Sequence, residues 1–231
     1  MRPIVLLFDV DGTLVSTGGA GRRALERAFA AHRVRPDVLD GMSFGGLTDW
    51  NIVRAGLRIA GQAGDAAAIA TAIDGILTTY VAALEDEVAR APGYQVHRGV
   101  ERALDAVLAR ADVATGLGTG NIREGARVKL ARGGLFERFC FGGFGCDHED
   151  RAELLAIGAA RGAAQLGVDS SACRVVVVGD TPRDVAAARA IGAESVAVGT
   201  SQFTPTELLG AGASCAFRDL TEPGALEALL G

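Results

Sequence analysis

Short apolar, β-branched runs alternate with helical stretches along most of this chain, and that alternation restricts its fold more than any other feature. Runs at Ile4–Phe8, 112–117, 174–178 and 195–198 read as strands, with a weaker one at 139–141 and a short edge strand at Cys215–Phe217. The runs containing Ile4 and Val175 are apolar on both faces, as strands covered by helices on each side must be. Strands separated by helical intervals predict an α/β architecture, a Rossmann-like parallel sheet flanked by helices. In residues 100–110 the positions Val100, Ala103, Leu104, Val107 and Leu108 fall on one helical face. Asp150 is placed to cap a helix running to Leu166, and Thr181 followed by Pro182 reads as N-cap and first helical residue. Asn121, with Glu124 three residues on, resembles a capping arrangement at the next helix start.

One stretch breaks the pattern. Residues 16–90 carry helical signals and no convincing strand. Asp65 is placed to cap a long helix whose apolar stripe is Ile69, Ile73, Ile76, Leu77, Tyr80, Leu84 and Val88. The simplest account is an all-helical insertion after the first strand. Residues 1–15 and 91–231 would then form the α/β core, with the Gly-rich 17–21 and the 91–99 segment as connectors.

Composition excludes several classes. With 231 residues, 49% of them hydrophobic and 22% charged, the chain can bury a large core and is not of the disordered type. No uninterrupted apolar run approaches the ~18 residues of a membrane span. Asp9 and Asp11 interrupt the first run too early for a secretory leader, so a cytoplasmic protein without membrane partners is expected. A net charge of -5 argues against a nucleic-acid partner. The four cysteines form no CxxC pair, and Cys140, Cys146 and His148 fit no familiar zinc spacing, so free, mostly buried thiols are expected.

Chemistry is concentrated where strands end. Residues 9–13 read DVDGT, directly after the first strand. Alternation along an extended chain sets Asp9 and Asp11 on the same side, where like charges repel and each carboxylate is desolvated. A polar turn with Gly12 at the bend is the plain alternative, but stability gains nothing from that pairing. GTGN at 118–121 puts a hydroxyl, small residues and a helix start together, which suits an anion or a simple cap. GDTPRD at 179–184 again ends a buried strand in carboxylates. Helix capping explains one of Asp180 and Asp184, not the recurrence of acids at strand ends. Ligands of open α/β sheets sit beyond the carboxyl ends of the strands, so Asp9, Asp11, Thr119 and Asp180 are expected to converge.

The DVDGT, GTGN and GDTPRD segments, in that order, resemble the haloacid dehalogenase-like hydrolase superfamily, and the helical insertion resembles its phosphoglycolate phosphatase and β-phosphoglucomutase-like branch. The resemblance implies a core with a helical cap over residues 16–90. It implies Asp9 as a nucleophile that becomes an aspartyl-phosphate, and Asp11 as general acid and then base. Thr119, the Gly120 amide and Asn121 would hold phosphate oxygens. Mg2+ would be bound by Asp9, the Asp11 carbonyl and Asp180, with Asp184 supporting it through water. Arg151 aligns where the family usually has lysine. Lys129 competes for that place, but lies inside a helix and is expected to face solvent. The loop at 43–50, Asp49 included, holds the best candidates for substrate contacts; Leu47 stands where relatives often carry a basic residue, Arg22 and Arg54 are candidates to replace that charge, and Phe44 and Trp50 are either substrate contacts or core. The implied activity is Mg2+-dependent hydrolysis of a small phosphorylated metabolite by a monomer or homodimer. A phosphomutase and a catalytically silent module with the same fold are the alternatives.

Overall fold

The computed structural model describes residues 2–231, so Met1 of the expected core segment lies outside the described residues. Six parallel strands form the main sheet: β1 (Ile4–Phe8), β4 (Val113–Thr119), β5 (Gly142–Phe144), β6 (Arg174–Gly179), β7 (Glu194–Val198) and β8 (Cys215–Phe217), in the spatial order β5-β4-β1-β6-β7-β8. All five residues of β1 are buried, and their alternation builds two layers. Ile4, Leu6 and Phe8 pack with Leu104 of α4 (Val100–Leu108), Leu130 of α5 (Arg123–Ala131) and Leu229 of α9 (Ala225–Leu230). Val5 and Leu7 face the opposite layer, with Leu154 and Leu155 of α6 (Arg151–Gln165) and Ala188 of α7 (Pro182–Ala190). Each such aliphatic side chain removed from water contributes ~1.5–3 kcal/mol, so the sheet is anchored from both sides.

β1 is therefore the centre of the sheet, with β4 on one side and β6 on the other. The strand order reverses there, and the carboxyl ends of β1, β4 and β6 open into one crevice.

The helical stretch contains α1 (Ala20–Ala31), a 3-10 turn at Pro36–Leu39, α2 (Asp49–Ile59) and α3 (Ala66–Arg90). It has its own apolar cluster, including Leu25, Phe29, Ile52, Val53, Ile73, Ile76, Tyr80 and Leu84. α3 is long and apolar enough to cross a membrane by length and composition, yet its stripe of Ile73, Ile76, Leu77, Tyr80, Leu84 and Val88 is buried within this cluster. Asp65 caps α3 as expected, accepting from the Ala68 N–H at 2.8 Å.

Three expectations of local structure need correction. A second, antiparallel sheet joins β2 (Val15–Thr17) to β3 (Tyr94–Val96), clamping the two connectors side by side. Runs of three residues are too short to show a period in sequence. The fifth strand is Gly142–Phe144, not 139–141, because Phe139 closes a 3-10 turn at Phe136–Arg138. Its glycines carry no β signal, but they let α6 approach: a Cβ on Gly143 would collide with the Leu154 carbonyl. Finally, the N-cap of α5 is Ile122, not Asn121; the Asn121 side chain is used elsewhere.

Candidate active site

Burial and like charge define the crevice. Asp9 follows β1, and Asp180 and Asp184 begin the β6–α7 connection. They are 5%, 3% and 1% exposed, and one carboxylate oxygen from each lies within 4.8 Å of the others. α7 starts where it does because Thr181 and Asp184 form a capping box, with Pro182 at the first position. Asp184 Oδ2 accepts from the Thr181 N–H at 2.9 Å and the Thr181 hydroxyl at 2.7 Å. Its other oxygen pairs with Arg151. Capping thus takes one carboxylate oxygen of Asp184 and leaves Asp9 and Asp180 to the crevice.

Arg151, the first residue of α6, is the cation inside this cluster. Its guanidinium spans Asp9, at 2.9 Å, and Asp184. Asp150 caps α6 through the N–H groups of Ala152 and Glu153, which fixes the side from which Arg151 enters. Burial lifts the Asp9 carboxyl to about 6; Arg151 pulls it down, and the Asp184 charge pushes it up. Asp180 is raised well above the ordinary carboxylate range by burial, then by Asp184 and Asp9. Its oxygens accept from the Thr13 hydroxyl at 3.2 Å and from Ser201. Gly12, at φ +80°, brings the turn after β1 against Asp180; a Cβ there would strike the carboxylate.

The chemistry of this donor set fits a hard divalent cation. Three crowded carboxylates against one arginine leave excess negative charge in a dry site, and Mg2+ prefers oxygen ligands including one or two carboxylates. Arg151 Nε is buried and makes no hydrogen bond among the described residues, which leaves a donor for an anion beside the cluster.

The phosphate-loop candidates lie at the same mouth. Thr119 ends β4, and its hydroxyl accepts from Asn121 Nδ2 at 2.9 Å. Asn121 Nδ2 also donates to Asp11 Oδ2 at 2.8 Å, which is why it does not cap α5. Asp9, Asp11, Thr119, Gly120, Asn121 and Arg151 all line one cavity of about 210 Å³. Residues of the stretch between β2 and β3 close it, among them Arg22 and Leu25 of α1, Phe44 and Leu47 of the loop before α2, Asp49 of α2 and Tyr80 of α3. The closure is close-fitting: the Asp49 N–H donates to the Gly120 carbonyl at 2.9 Å, and a Cβ on Gly120 would overlap the Leu47 carbonyl.

A model of the haloacid dehalogenase-like hydrolases matches residues 5–192. The chain belongs to that family. Solved structures share the fold of this hydrolase. CbbY from Rhodobacter sphaeroides, in complex with phosphate, is 21% identical with a TM-score of 0.68, and the alignment covers 100% of both chains. A predicted phosphatase from Clostridium acetobutylicum is 17% identical, TM-score 0.68, covering 100% of this chain and 99% of that one. A β-phosphoglucomutase from Clostridium difficile is 16% identical, TM-score 0.67, covering 99% and 96%. No curated protein matches the sequence.

Two of the basic-residue expectations are corrected in this hydrolase. Lys129 does not face solvent: it is 5% exposed, and Nζ reaches Asp11 Oδ2 at 2.6 Å and Asn121 Oδ1 at 2.5 Å. Its position in α5 turns it toward the crevice, between Val128, buried with the helical segment, and Leu130, buried against the sheet. Burial alone would weaken its hold on the proton, but Asp11, Tyr80 and Asp49 outweigh that and keep it protonated above the usual lysine range. Arg54 lies outside the cavity, half-exposed and paired with Glu149 at 2.7 Å. Arg22 does line it, held by the carbonyls of Leu39 and Met42 at 2.8 and 2.6 Å and lying over the Phe44 ring at 4.2 Å. Trp50 is not among the cavity residues, and Phe44 is.

Thr13, Ser201 and Tyr80 were missed as site residues, whereas Asp49 lies in the 43–50 loop expected to supply contacts. The T of DVDGT was the available signal for Thr13. Ser201 sits in a polar segment with no distinguishing pattern, and Tyr80 reads only as part of an apolar stripe.

Proposed function

We propose that the protein hydrolyses small phosphomonoesters by transferring the phosphoryl group to Asp9 and then to water, with residues 16–90 acting as a cap. The observation that carries this reading is the place of Asp9, which lines one cavity with Asp11, Thr119 and Arg151 while its carboxylate meets those of Asp180 and Asp184 behind it. A nucleophilic carboxylate approaching a phosphate dianion meets repulsion, so the site needs positive charge. Mg2+ held by Asp9, Asp180 and the Asp11 carbonyl, with Asp184 behind it, would supply charge neutralisation. Arg151 orients Asp9, and its free donor suits a phosphoryl oxygen. Thr119, Gly120 and Asn121 take the remaining oxygens at the start of α5.

In the first step an Asp9 oxygen bonds to phosphorus, the ester P–O bond breaks, and Asp11 gives its proton to the leaving oxygen. In the second, Asp11 takes a proton from water, the water oxygen bonds to phosphorus, and the Asp9–phosphorus bond breaks. The cap excludes bulk water during the first step. At about 210 Å³ the cavity is smaller than the ~300–1,000 Å³ of drug-sized sites, which favours a small metabolite.

Sustained release of inorganic phosphate from p-nitrophenyl phosphate with Mg2+, and its loss in EDTA, tests this reading. Phosphoryl return to a sugar without net phosphate release would assign a phosphomutase, and absence of both would leave a silent module.

The acid cluster also predicts a linked change in stability. Asp180 is raised, so the folded chain keeps its proton to higher pH than the unfolded chain. Stability from this group is therefore lost as pH rises through the window above 3.8. Asp180→Asn removes that loss. In EDTA, its unfolding midpoint is expected to exceed the wild-type value by an amount that grows between pH 4 and pH 7.5. Mg2+ at 100-fold its dissociation constant should add ~2.7 kcal/mol to the wild type and little to the variant. Thermal melts at several pH values check both parts.

A further inference from the structure

Lys129 is harder to explain by stability than any other buried charge outside the metal cluster. An ammonium withdrawn from water costs several kcal/mol, and an apolar side chain would fill the same space without that penalty. Its surroundings come from both parts of the chain. On the α/β side, Nζ meets Asp11 Oδ2 at 2.6 Å and Asn121 Oδ1 at 2.5 Å. Asn121 in turn donates to the same Asp11 oxygen and to Thr119. From the helical part, α1 passes so close that a Cβ on Gly21 would lie 3.5 Å from Nζ. The Tyr80 hydroxyl of α3 lies 3.9 Å from that same Cβ, and Asp49 Oδ2 of α2, which accepts from the Ile122 N–H at 2.8 Å, would lie 3.5 Å from a Cβ on Gly125, one turn before Lys129 in α5. These groups line the cavity that contains Asp9 and Arg151.

Asp11 itself is held from one side only. Its side chain is 44% exposed, and both of the side-chain bonds described above fall on Oδ2. A group that must hand a proton to a leaving oxygen needs a fixed place, because proton transfer is confined to hydrogen-bond reach.

We propose that Lys129 is the positioning residue for Asp11, seated by Asp49 and Tyr80 so that Asp11 is fixed only while the helical segment is docked on the sheet. The inference rests on the phosphatase reading. It adds a link between closure and chemistry: docking of α2 and α3 completes the seat of Lys129, Lys129 holds Oδ2, and the other carboxyl oxygen is left for the leaving group. When the ester P–O bond breaks and the Asp9–phosphorus bond forms, the proton on that oxygen passes to the departing alkoxide. An undocked segment leaves Lys129 half-seated and Asp11 free to turn.

The test compares phenyl phosphate with p-nitrophenyl phosphate, which differ little in shape but greatly in the basicity of the leaving oxygen. kcat/KM reports the steps up to loss of the phenol, so it isolates Asp11 as acid. Lys129→Met is expected to lower kcat/KM about 100-fold on phenyl phosphate and under ~10-fold on p-nitrophenyl phosphate, within the range that acid–base groups contribute. Asp49→Asn keeps an acceptor for the Ile122 N–H and removes the charge, and should show the same bias to a smaller extent. A merely structural lysine would lower both substrates by the same factor; that result, or no loss on phenyl phosphate, overturns the proposal. If Lys129→Met does not fold, Asp49→Asn decides by the same criterion. A wild-type protein that turns over neither ester defeats the phosphatase reading itself, and the inference falls with it; an active wild type with proportionate losses defeats the inference alone.

Discussion

Asp9→Asn is expected to lower phosphate release by at least ~10⁴-fold, the scale on which enzymes lose activity when a covalent nucleophile is removed. The amide matches the carboxylate in shape but has no charge with which to attack phosphorus. It still accepts from Arg151, and it lightens the repulsion among Asp9, Asp180 and Asp184, so the variant should fold and melt no lower than wild type in EDTA. Loss of activity with retained stability separates a reacting group from a packing group. Phosphate release and thermal melts on the same preparation check it.

Arg151→Ala is expected to have the largest effect on stability. Arg151 is 8% exposed and pairs with two carboxylates that are themselves buried. Its removal leaves three acids in a dry site without a cation, and breaking such a buried pair costs ~3–5 kcal/mol. Mg2+ should restore part of that loss, because the ion neutralises the same charges. Arg151→Lys is expected to fall between, since an ammonium is a point charge and cannot spread two donors across Asp9 and Asp184. Denaturant unfolding in EDTA and in Mg2+ measures each difference.

The parts of this molecule that were legible in sequence are those where one residue's chemistry speaks for itself. β1 and β8 fall where their apolar runs do, and Asp65, Asp150 and Thr181 cap the helices they precede. Carboxylates at the ends of β1 and β6 announced a shared site because stability offers no reason for them. Arg151 was legible from its place at the start of α6. What was not legible depends on tertiary contact. The direction of Lys129 is set by how α5 lies between the sheet and the helical segment, and a single lysine in a helix carries no sign of that. Asn121 fits the pattern of a cap but bonds Asp11, a partner 110 residues away. β2 and β3 are three residues each and form only because the connectors meet.

The central claim is that Asp9 carries phosphorus during turnover. The most direct measurement mixes the protein with p-nitrophenyl phosphate and Mg2+, quenches in acid within the first turnover, digests the chain and locates the phosphoryl group by mass. The account predicts one phosphoryl group on the peptide containing Asp9, absent from Asp9→Asn. Turnover with that peptide unmodified, or undiminished turnover by Asp9→Asn, would contradict it.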